Sequence, residues 1–148
     1  MRQTSVDCII NASSEKIIKA FTDHQMLSAW WGVERSNITL TIGGGYYLAW
    51  DISDHGMKYV NSAIIKEYDP ESRLHLEAFT YFSPDRPILE GMYMNIDVVT
   101  IDDSSSKLSI SQGPFPEGKS EHWDWIYEAV NQGWQDALKN LINFLEQS

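Results

Sequence analysis

Internal disulfides are excluded from the start, because the 148 residues hold one cysteine, Cys8. It lies in the apolar run Val6-Asp-Cys-Ile-Ile10, where a small buried hydrophobe is expected and nothing nearby in sequence would activate a thiolate. Basic residues are scarce too, 11 Lys and Arg against 21 Asp and Glu, for a net charge of −10. Such a surface repels phosphate backbones and anionic lipid, so no nucleic-acid or membrane partner is expected and the charge is read as solubility. No apolar run approaches a membrane span, and the opening Met1-Arg-Gln-Thr-Ser-Val-Asp7 has no apolar signal core. A reducing cytoplasm is the expected location.

Catalytic signatures are equally sparse. The four histidines, His24, His55, His75 and His122, include no pair at helical metal-site spacing. No Gly-x-Ser-x-Gly elbow occurs. Gly43-Gly44-Gly45 lacks the lysine of a phosphate loop and precedes a strand, so it reads as a turn or bulge. His75 and Glu77 share one strand face, an acid/base or metal pair on paper, but a solvated sheet face is the plainer reading. Every Asp and Glu can be placed at a turn, a cap or an outer face. No catalytic residue, metal or cofactor is therefore assigned.

What is present is a clear order of elements. Val6 to Ile10 reads as a strand. Ser13 caps a short helix with Ile17, Ile18 and Phe21 on its apolar face, and Asp23 caps a second, His24 to Trp30, with Met26, Leu27 and Trp30 on one side. Strands are predicted over 38–42, 46–53, 58–68, 74–82, 92–101 and 108–112, separated by short turns such as Asp69-Pro-Glu-Ser72. Pro114 and Pro116 are expected to stop the sheet. From a cap at Ser120 to about Glu146 only Gly133 interrupts helical chemistry, and Tyr127, Val130, Trp134, Leu138, Leu141 and Leu145 form one stripe. Such a helix would run roughly 40 Å. The fold class is α+β: a curved antiparallel sheet, two short helices after strand 1, and a long C-terminal helix packed across the sheet, with residues 1–148 as one domain.

These motifs, in this order, resemble the START-like, helix-grip (SRPBCC, Bet v 1-like) superfamily. Within it the chain is similar to the family named for the C-terminal domain of the heat-shock-protein-90 ATPase activator. The resemblance rests on Ala12-Ser13-Ser14-Glu15, on Thr22-Asp23-His24 through Trp30-Trp31, on Gly43-Gly44 before Tyr46, on Asp69-Pro70 with Arg73-Leu74, and on Gly133-Trp134 with its following leucines. His24 stands where proline is usual. The family has no invariant catalytic set, so the resemblance implies a fold and a cavity but no reaction.

Six tryptophans and seven tyrosines exceed what a small core needs. With the cavity the resemblance implies, the expected lining is Met26 and Trp30, then Tyr46, Leu48 and Trp50 on one strand. Leu76, Ala78, Met94 and Ile96 follow on others, and Trp123, Tyr127 and Val130 on the long helix. Trp134 is read as core. A solid core is the rival arrangement.

The expected function is binding of a small apolar or aromatic ligand between sheet and helix, by a monomer or homodimer. One alternative is a co-chaperone-like interaction module with a chaperone or other protein as partner. Another is a cyclase- or hydrolase-type enzyme using the same cavity.

Overall fold

A computed structural model describes residues 2–54, 56–84, 88–115 and 121–147, with side chains from residue 124 onward in the last run. The elements are β1 (Arg2–Ile10), α1 (Ser14–Lys19), α2 (His24–Trp31), β2 (Arg35–Ile38), β3 (Gly45–Ser53), β4 (Gly56–Asp69), β5 (Arg73–Phe82), β6 (Leu89–Thr100), β7 (Ser106–Phe115) and α3 (Glu121–Glu146). One seven-stranded antiparallel sheet has the order β1-β7-β6-β5-β4-β3-β2. Six strands meander, and β1 closes on the far edge against β7. The two short helices span from one sheet edge to the other, and α3 packs along β1 and α2.

Local chemistry explains the helix starts. Ser13 accepts the Lys16 N–H at 3.2 Å, and Asp23 accepts the Met26 N–H at 3.0 Å. Gly32, at φ +72°, ends α2 in the left-handed conformation that lacks a penalty only for glycine. The Asp69 turn closes as expected, its carboxylate taking the Glu71 N–H at 2.8 Å. The predicted cap at Ser120 and the centre of the 83–87 break lie outside the described residues.

Two strand expectations need correction. The strand placed at 38–42 is instead Arg35–Ile38, because Thr39 to Gly44 fold into a turn. There Gly43 has φ +85°, and a Cβ on Gly44 would sit 2.1 Å from the Thr39 carbonyl oxygen. The strand expected to end at Gln112 continues through Pro114 to Phe115. A register irregularity between Arg2 and Thr4 on β1 accommodates the missing N–H.

The sheet bends through bulges. On β5, Leu76 faces Met94 but Phe79 faces Met92, so one extra residue is inserted, with Ala78 at φ +50°. On β6, an extra residue lies between Leu89 and Met92, where Gly91 has φ +69°. Inside the curve, Ile10, Ile17, Phe21, Leu27, Leu74, Ile96, Leu108 and Leu141 are buried in one continuous core.

Candidate functional site

A hollow of about 540 Å³ lies between the middle of α3 and the inner sheet face. Its walls are aromatic: Trp31 from α2, Trp50 from β3, Tyr59 from β4, Phe79 and Tyr81 from β5, and Trp134 from α3. Gly32, Glu34, Asp51 and Gly133, all exposed, form the rim.

The tryptophans hold one another in place. Trp31 stacks on Trp30 at 4.9 Å and 9°, meets Trp50 edge-on at 5.2 Å and lies 5.4 Å from Trp134. Two indole N–H groups of the walls are already bonded to protein: Trp50 donates to the Trp31 carbonyl at 3.0 Å and Trp134 to Gln112 Oε1 at 2.8 Å. Those rings therefore offer the hollow mainly apolar surface.

Three of the expected lining residues, Trp50, Met94 and Val130, border the hollow. Trp30 does not. It shares the core-facing side of α2 with Leu27, is buried, and donates its N–H to the Ala20 carbonyl at 2.7 Å. Its neighbour Trp31 is the one that reaches the hollow. Tyr46 is fully buried and donates its hydroxyl to the Phe21 carbonyl at 2.5 Å, and burial pushes that phenol well above its ordinary pKa. Leu48, Leu76 and Ile96 are filled core, while Met26 is half-buried against it. Tyr127 packs at the other end of the helix against Phe115, at 5.5 Å, and under the Arg2 guanidinium. Ala78 is exposed, because the β5 bulge reverses the alternation that would have turned it inward. The side chain of Trp123 lies outside the described residues. Trp134 is buried, as expected of a core residue, and also walls the hollow.

Several lining residues carried a signal that alternation alone passes over. Leu74 and Leu76 alternate in one phase, Phe79 and Tyr81 in the other, so the slip is written into β5. Asn61 stands in phase with buried Ala63 and Ile65, and Gln112 in phase with buried Leu108 and Ile110. A polar residue in an inward register is the anomaly that marks a site. Gly133, glycine inside a helix, has nothing within 4 Å of where a Cβ would stand.

On the outer face, His75 meets carboxylates from neighbouring strands rather than Glu77. Its Nε2 lies 2.8 Å from Asp97 and its Nδ1 3.5 Å from Glu67. Glu67 is held below the usual carboxylate range, first by its hydrogen bond from Arg73. Among the described residues no group of three or more His, Cys, Asp or Glu is arranged to hold a metal ion, and no helix is long and apolar enough to cross a membrane. Cys8 is half-buried rather than buried, and burial raises its thiol pKa, with Asp7 and Glu146 adding to the effect.

A curved antiparallel sheet gripping a long helix over an aromatic hollow defines the helix-grip class. Residues 11–146 match the model of the Activator of Hsp90 ATPase homolog 1-like protein family, and the chain belongs to that family. No curated protein matches it. Among solved structures, it is similar to the Aha1 dimer from Colwellia psychrerythraea, with 17% identity over 99% of this chain and 97% of that one, at TM-score 0.73. A Chromobacterium violaceum protein is 22% identical over 99% of both chains, at TM-score 0.71. DynU16, a protein of the dynemicin biosynthetic locus, is 16% identical over 97% of this chain and 47% of that one, also at TM-score 0.71.

Proposed function

We propose that this protein binds a small, largely apolar or aromatic molecule between the sheet and α3. The observation that carries the reading is the hollow of about 540 Å³ walled by six aromatic side chains. Its size falls in the ordinary range for ligand pockets, roughly 300 to 1,000 Å³. Among the described residues the charged side chains that line it are Glu34 and Asp51, both acidic and both at the rim. An uncharged or cationic aromatic molecule suits that rim better than a carboxylate does. The dynemicin biosynthetic locus houses one protein of similar fold, which agrees with this reading.

Titration with a panel of neutral, cationic and anionic aromatic compounds tests it, followed by tryptophan emission and melting temperature. Saturable binding by some neutral or cationic members is expected, with stabilisation of about 2.7 kcal/mol at a hundred-fold excess over Kd. Trp50→Ala should weaken binding, while Lys107→Ala, an exposed residue paired with Asp7 on the outer surface, should not. A panel without any binder would sink the reading.

A second reading, a protein-interaction module, draws on the exposed apolar side chains Met57, Phe82 and Ile88 around a neighbouring surface depression. Stimulation of a heat-shock-protein-90 ATPase, abolished by Phe82→Ser, would favour it. For assembly we propose a homodimer, supported by the dimer of the similar Colwellia protein. Sedimentation at several concentrations decides between dimer and monomer.

A further inference from the structure

Five polar residues are buried among the described residues: Thr4, Asn61, Ser105, Ser106 and Gln112. In four of them the side chain has a hydrogen-bond partner. Thr4 donates to Asn131 at 2.6 Å, Ser105 to Asp102 at 2.9 Å and Ser106 to the Ala12 carbonyl at 3.0 Å, while Gln112 accepts from Trp134. Asn61 is 4% exposed, yet among the described residues its amide has no hydrogen-bond partner. Nor is that amide sealed in the core, for its polar atoms remain open to the hollow that the residue lines. An occupant that covers this amide without bonding it pays for an unpaired polar group, and a leucine of similar volume would carry no such penalty. Asn61 sits on β4 opposite Leu48 and Tyr81, in the register that turns Ala63 and Ile65 into the core, so the strand itself aims it inward.

We propose that Asn61 is the specificity-determining residue of the hollow and reads a cyclic-amide edge on an uncharged aromatic ligand. This rests on the ligand-binding reading above and adds the chemistry the ligand must carry. An asparagine amide presents one carbonyl acceptor beside N–H donors. Its complement is a ring in which a carbonyl stands next to an N–H, so that two parallel hydrogen bonds form at once. The flat remainder of such a molecule is what the tryptophan, tyrosine and phenylalanine walls take up by ring contact. A pure hydrocarbon that displaces water from the amide leaves it unpaired, which is a penalty the cyclic amide avoids.

The test compares three bicyclic probes of similar shape by calorimetry on the intact protein: naphthalene, carbostyril, which carries the cyclic amide, and N-methylcarbostyril, which lacks its donor. Carbostyril should bind on the order of ten-fold tighter than naphthalene, and N-methylation should remove most of that gain. In Asn61→Leu the carbostyril advantage should vanish while naphthalene binds as well or better. If that variant does not fold, Asn61→Ser, which keeps a polar side chain but loses the amide, makes the same comparison. Naphthalene binding with no preference for carbostyril overturns this inference and leaves the pocket reading intact. If none of the three binds, the pocket reading falls and takes this one with it.

Discussion

The long helix turns two different surfaces toward the rest of the molecule. In its C-terminal half Leu138, Leu141 and Leu145 are buried in filled core. Through its middle Val130, Gly133 and Ala137 border the hollow, with Trp134 the one large side chain among them. Sheet, helix and connections are shared by both halves, so topology does not account for the difference. Side-chain size does: leucines fill the space under one half, and glycine, alanine and valine leave it open under the other.

Trp134→Ala should break this comparison most visibly. It removes a buried ring, its contact with Trp31 and the donor to Gln112, at a cost of roughly 3 to 5 kcal/mol. Leu141→Ala should cost about 2 to 5 kcal/mol by the same cavity argument, yet leave ligand affinity unchanged, because Leu141 does not border the hollow. Chemical denaturation of both variants, each titrated with one panel ligand, separates the halves. Equal loss of affinity in the two would show that they are one unit.

The filled core is also marked by alkali. Burial raises the folded-state pKa of Tyr46, so its stabilisation is whole below the ordinary tyrosine pKa and is lost as pH climbs beyond it. Wild-type stability should fall by roughly 1.4 kcal/mol per pH unit above about pH 10 on account of this residue. Tyr46→Phe should show a shallower fall, measured as melting temperature between pH 9 and 11 on either side of about pH 10. Parallel slopes would mean that the Tyr46 hydroxyl is not sealed in the core.

The smallest effect is expected at Gly133, and its sign is the informative part. With open space where a Cβ would stand, Gly133→Ala should stabilise the helix by about 0.5 to 1 kcal/mol. It should also narrow the rim of the hollow and weaken a bulky ligand. A destabilised variant would mean that the space is already occupied.

Much of this was legible in advance where the signal is local. The caps at Ser13 and Asp23, the Asp69 turn and the long apolar stripe of α3 follow from residue types within a few positions of one another. The site was harder to read. Strict alternation carried through β5 turned Ala78 inward, while the bulge made Phe79 and Tyr81 the lining. Helical spacing grouped Trp30 with Met26 and Leu27, and that grouping identified the core face of α2 rather than the face of the hollow. Both errors come from continuing a period across a point where the chain shifts phase or ends.

By itself the sequence determined the elements and their order, because period, capping and turn chemistry act over one or two turns of chain, and the order of its motifs carried the resemblance to the helix-grip class. Tertiary structure alone decided which side chains face empty space. Trp31 rather than Trp30 walls the hollow, His75 meets Asp97 and Glu67 rather than Glu77, and among the described residues Asn61 has no side-chain partner while Gln112 has Trp134. Each outcome depends on what a strand or helix distant in sequence places opposite, and on whether that neighbour is large enough to fill the gap.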